Sequence, residues 1–142
     1  MKRILVAIDS SSRAPAVLAA ALRMAELSDA KLVVFRAIGI PPDMPPALFM
    51  ATDLSLEDVL LRNARNELDL ALKDVPRDRV EKIVIDVATP WDGICRAGRE
   101  HDVDLIVLGS HGYRGLDKLL GTNAGKVVNH ADRNVLVVRT PL

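Results

Sequence analysis

Ile4-Leu5-Val6-Ala7-Ile8 carries no polar residue on either of the two faces a strand would present. A strand with one face in water alternates apolar and polar residues, so an unbroken apolar run needs cover on both faces. The same signature returns at Leu32-Val33-Val34-Phe35, at Leu105-Ile106-Val107-Leu108 and at Val135-Leu136-Val137-Val138. Between these runs the period changes. Ala14, Val17, Leu18, Ala21, Leu22 and Ala25 recur at spacings of three and four, as do Leu56, Val59, Leu60, Ala64, Leu68, Ala71 and Leu72 ahead of Pro76, and Ala124, Val127, Val128 and Ala131. That spacing lines one face of a helix. Thr89-Pro90 supplies a capping side chain and a first-turn proline for a further helix with Trp91, Ile94, Cys95 and Gly98 on one face. Val80 to Ala88 reads as a strand interrupted by Glu81, Lys82 and Asp86, as befits a sheet edge. Strand followed by helix, repeated, means parallel strands joined by crossovers. The expected fold is α/β, a three-layer α/β/α sandwich on a five-stranded parallel sheet.

A chain of 142 residues, 49% hydrophobic, can bury one core, and residues 1–142 are expected to form a single domain. Nineteen basic and nineteen acidic side chains cancel, which argues against nucleic acid or an anionic membrane as partner. The lone Cys95 rules out an intrachain disulfide framework and fits a reducing compartment. Asp9 arrives after only five apolar residues, too few for a signal peptide or membrane span, so a cytoplasmic location is expected. Gly39-Ile40-Pro41-Pro42-Asp43-Met44-Pro45-Pro46 lacks the backbone donors for regular structure. It opens a loop over residues 39–53 whose role, lid or spacer, stays open.

In open parallel sheets ligands bind beyond the carboxyl ends of the strands, where neighbouring connections diverge. Asp9-Ser10-Ser11, Ala37-Ile38-Gly39 and Gly109-Ser110-His111-Gly112 occupy those places. The last continues through Gly115 and Gly121-Thr122-Asn123 into a helix. Glycines let backbone amides approach an anion, and the N–H groups and dipole of a helix start favour negative charge, so this segment suits a phosphate. Two rival motifs fail on counting. Gly125-Lys126 is followed by Val127 rather than Ser or Thr, and Gly109, Gly112 and Gly115 have the wrong spacing and follow the wrong strand for a dinucleotide fingerprint.

Gly109-x-x-Gly112, the later Gly121-Thr122 pair, the helix after it, the terminal Val135–Val138 strand and Asp9 after the first strand together resemble the universal stress protein family over the whole chain. The resemblance implies a Rossmann-like sheet of order 3-2-1-4-5 and a site for ATP. By that resemblance Gly109 contacts ribose, and Gly112, Gly121, Thr122 and the Asn123 backbone contact phosphates. Asp9 and the chain near Ala37 flank adenine and ribose, with Ala7 and Ser10 in the same binding set. His111 stands within the phosphate segment. Asp9 is also placed to meet a nucleotide-bound Mg2+. The family's ATP-binding pattern has nine residues between its second and third glycines, whereas eight separate Gly112 from Gly121 here. With that strand order, Val135–Val138 is an apolar edge, which suits pairing with a second copy into a homodimer.

Plainer readings stand beside these. Asp9 and Thr122 are also good helix caps, a role compatible with ligand contact. His101, His111 and His130 lack metal-ligand spacing, and no metal site is expected. Trp91 reads as packing rather than a base-stacking platform, Cys95 as a small buried hydrophobe, and Arg114 and Lys118 as phosphate-reaching or solvated alike. No nucleophile with its base, carboxylate pair or metal cluster is visible, so no catalytic residue is assigned. The expectation is a stress-response adenine-nucleotide-binding regulatory module, with at most slow ATP hydrolysis. The alternatives are a nucleotide-free dimeric interaction protein, and a slow ATPase or nucleotidyl transferase.

Overall fold

The computed structural model describes residues 1–39, 56–110 and 122–139. Its elements are β1 (Arg3–Ala7), α1 (Ala14–Ser28), β2 (Lys31–Ile38), α2 (Leu56–Ala71), β3 (Val80–Val87, after a 3-10 turn at Arg77–Arg79), α3 (Pro90–Glu100), β4 (Leu105–Gly109), α4 (Asn123–His130) and β5 (Asn134–Val138). The strands form one sheet of order β3-β2-β1-β4-β5, and every neighbouring pair is parallel. The five strands and their order match expectation.

The unbroken apolar runs are explained by what covers them. Ile4, Val6, Leu32, Val34, Leu105 and Val107 face Val17, Leu18, Ala21 and Ala25 of α1 and Leu68 of α2. The alternate residues, Leu5, Val33, Phe35, Ile106 and Leu108, face Ile94, Cys95 and Ala97 of α3 and Ala124 and Val127 of α4. The sheet is thus covered on both faces. Ile4, Leu5, Val6 and Ile106 are fully buried in its centre, where each such side chain contributes roughly 1.5–3 kcal/mol. On β3, by contrast, Glu81 and Lys82 are exposed, as an edge strand allows. The β2–β3 register slips between Leu32 and Val33, and Glu81 falls at the slip, where its carboxylate accepts from Arg3 Nε at 2.8 Å.

α3 lies close to the sheet because two glycines face it. A Cβ on Gly93 would come within 3.1 Å of Phe35 Cζ and Ala88 Cβ, and one on Gly98 within 3.1 Å of Ile106 Cδ1. Thr89 occupies the N-cap position of α3, yet its side chain makes no capping hydrogen bond, so only the position was read correctly. Val59 and Val128, counted on apolar stripes, are 41% and 48% exposed. On α4 the reason is geometric: Val127 points into the core, and the next residue lies about 100° further round the helix. Cys95 is buried as expected, and burial pushes its thiol pKa up. No helix among the described residues is long and apolar enough to cross a membrane.

Candidate functional site

β1 and β4 are adjacent, but the helices that follow them lie on opposite faces, α1 on one and α4 on the other. The connections therefore part at the carboxyl ends of these strands and leave a cleft. Ala7, Ile8 and Asp9 form its β1 wall, Leu108 and Gly109 its β4 wall, Phe35 and Ala37 come from β2, Pro90 and Ile94 from α3, and Asn123 from the start of α4. The lining is mainly apolar, with Asp9 and Asn123 contributing polar side chains, a composition suited to a flat base carrying polar substituents.

Asp9 is half-buried, and its Oδ1 accepts from the Ser11 amide at 2.9 Å. Ser11 Oγ in turn accepts from the Arg13 amide at 3.2 Å. These turns take up the residues after β1, so α1 starts only at Ala14, with Arg13 at its N-cap position and no side-chain cap. Asp9 is therefore not the cap of α1, one of the two roles read for it, and its carboxylate stays at the cleft wall. Ser10 is exposed and is not among the residues lining the cleft.

Thr122 is the N-cap of α4: its Oγ1 accepts from the Gly125 amide at 3.1 Å and its carbonyl from the Lys126 amide at 3.0 Å. Asn123, next along, lines the cleft, so the positive end of the α4 dipole abuts it. Gly109 has a packing reason as well as a place on the wall. A Cβ there would lie 2.9 Å from Cγ2 of Val17, a buried β-branched side chain with little freedom to yield. Beyond it the Ser110 amide donates to the Val138 carbonyl at 3.0 Å, continuing the β4–β5 ladder by one bond.

The structure thus brings Ala7, Asp9, Ala37, Gly109 and Asn123 to one cleft, with Thr122 beside it. His111, Gly112 and Gly121, with Arg114 and Lys118, lie outside the described residues, as does most of the 39–53 loop. Sequence reasoning missed the apolar wall of Ile8, Phe35, Pro90, Ile94 and Leu108, whose residue types are those of the core. Trp91 packs its ring on that of His130, centroids 4.9 Å apart, with Lys126 Nζ 5.8 Å from the ring centroid. Its packing role therefore holds. Among the described residues no group of three or more His, Cys, Asp or Glu could hold a metal ion.

The model of the universal stress protein family matches residues 1–139. Universal stress protein A homolog 1 of Coxiella burnetii is 34% identical over 148 aligned residues, covering 96% of this chain and 95% of the relative. Among solved structures, universal stress protein UspA from Lactobacillus plantarum superposes with a TM-score of 0.74 at 26% identity, covering 97% of each chain. A universal stress protein from Archaeoglobus fulgidus, solved in complex with dAMP, superposes with a TM-score of 0.65 at 25% identity, covering 96% of this chain and 97% of that one.

Proposed function

The chain belongs to the universal stress protein family, and on that premise we propose that it binds an adenine nucleotide in the β1/β4 cleft, as a single domain over residues 1–142. One observation carries the reading: five of the residues expected to surround the nucleotide line a single cleft at the point where the connections from β1 and β4 diverge. The apolar wall of Phe35, Ile94, Leu108, Ala7 and Ala37 suits the base, while Asp9 suits ribose hydroxyls or a phosphate-bound Mg2+. Gly112 and Gly121, by sequence position, and the amides at the α4 start take the phosphates. Binding of dAMP by the Archaeoglobus relative supports the same ligand class. ATP is the proposed ligand, and the module acts in the cytoplasm by being occupied or empty.

Denaturing freshly purified protein and identifying the released small molecule by mass spectrometry tests this, followed by calorimetric titration of the stripped protein with ATP. Saturable binding is expected; no heat at millimolar ATP overturns the reading and favours the nucleotide-free alternative. The apolar β5 edge, where Val135, Leu136, Val137 and Val138 are half-buried in the isolated chain, is the proposed homodimer contact. Sedimentation should give a dimer at micromolar concentration that Val137→Lys dissociates.

A further inference from the structure

We propose that Arg13 is a positioning residue that fixes the separation of the β1 and β4 walls of the cleft, and so tunes the affinity for the whole adenine ligand rather than for its phosphates. This rests on the nucleotide reading above.

Arg13 is badly placed for the helix it begins. A cation at a helix N-terminus opposes the macrodipole, the first turn of α1 contains no acidic residue to offset it, and Arg13 makes no side-chain cap. A residue that breaks a local rule calls for a gain elsewhere. Here the gain lies at the residue that follows β4: Arg13 Nη1 donates to the Ser110 carbonyl at 2.9 Å, a bond between groups 97 residues apart in sequence.

Three observations make this bond a brace. One turn further along α1, Val17 occupies the space that a Cβ on Gly109 would need, so α1 sits directly on the end of β4 and Arg13 reaches the next residue. The Ser110 amide is held by Val138, and with the carbonyl held by Arg13 both polar groups of that backbone unit are engaged. At its other end Arg13 is tied to the opposite wall, its amide bound by Ser11 Oγ and the Ser11 amide by Asp9 Oδ1. A continuous path, Asp9 to Ser11 to Arg13 to Ser110, therefore joins the two walls. Arg13 itself is not among the cleft-lining residues.

The test compares Arg13→Met, which keeps the length without the donor, with Arg13→Lys, which restores one charged donor. Calorimetry is run with adenosine and with ATP on ligand-stripped protein. If Arg13 positions the walls, Arg13→Met weakens both ligands by the same factor, about tenfold for loss of one charge-assisted hydrogen bond, and Arg13→Lys recovers part of it. Weakening of ATP alone would make Arg13 a direct phosphate ligand and overturn the proposal. Unchanged affinities with a lower melting temperature would make it merely structural, which also overturns it. If the wild type binds neither ligand, it is the nucleotide reading that fails. The brace is then judged on the ligand-free protein: the amide resonances of Ser11 and Ser110 should shift together in Arg13→Met and return in Arg13→Lys. Resonances that stay in place overturn it.

Discussion

The two ends of the sheet use charge in opposite ways. At the amino end the charged groups are spent on the backbone and on each other. Asp104 accepts from the Lys2 and Arg3 amides at 2.6 and 2.9 Å, and Arg3 pairs with Glu81. Arg79 reaches Asp29 and the Ala30 carbonyl, Lys31 donates to the Asp78 carbonyl, and Arg133 Nη1 donates to the Gly98 and Val103 carbonyls. These bonds close the ends of α1 and α3 and tie β1 to β4. At the carboxyl end Asp9, Arg13 and Thr122 are fastened to loop and helix-start backbone, and Asp9 stands beside an apolar cleft wall. The lesson is that charge at the amino end stitches the fold, whereas at the carboxyl end Asp9 stands on the wall of a cavity.

Substitutions at the two ends should therefore separate stability from binding. The largest stability effect is expected at the amino end: Arg133→Ala leaves the Gly98 and Val103 carbonyls without their charged donor and should cost about 2 kcal/mol or more in urea denaturation. Nucleotide affinity of the folded fraction should not move; a matching loss of affinity would erase the division between the ends. At the carboxyl end, Asp9→Ala should weaken ATP about tenfold or more, roughly 1.4 kcal/mol, while lowering stability by only about 1 kcal/mol for the lost Ser11 turn. Thr122→Ala removes the α4 cap and should cost about 1 kcal/mol by the same denaturation, with a smaller loss of affinity.

The smallest effect is a pH dependence at the amino end. The Arg3 amide first, and then that of Lys2, hold the Asp104 carboxyl below the usual carboxylate range. Its stabilisation is fully present above the unfolded value of about 3.9 and is lost as pH falls through the lower folded value. Asp104→Asn should flatten that part of the stability profile below about pH 4. An unchanged acid slope would show that the carboxylate does no stitching.

Much of the fold was legible because burial on both faces writes strands as unbroken apolar runs, and Ile4–Ile8 and Leu105–Leu108 need no tertiary information to be recognised. The edge character of β3 was legible in Glu81 and Lys82 for the same reason. The strand-end rim of the cleft was legible through the rule that parallel sheets bind at their carboxyl ends, which selects Asp9, Ala37 and Gly109 by position. The cleft's apolar wall was not. Phe35, Ile94 and Leu108 obey the same patterning as the core, and only the divergence of the connections from β1 and β4 exposes one edge of them to a ligand. Asp9 as a helix cap failed because the turn through Ser11 intervenes before α1 begins. Arg13 carried a faint signal in being a cation at a helix start, but its partner Ser110 is a tertiary fact.

The most direct test is amide chemical-shift mapping of ligand-stripped protein titrated with ATP. Saturable shifts at Ala7–Asp9, Phe35, Ala37, Ile94, Leu108–Gly109, Gly112 and Gly121–Asn123, with Arg3, Glu81 and Asp104 silent, are the predicted result. Shifts centred on the amino end, or none at millimolar ATP, would contradict the assignment of the carboxyl-end cleft as the nucleotide site.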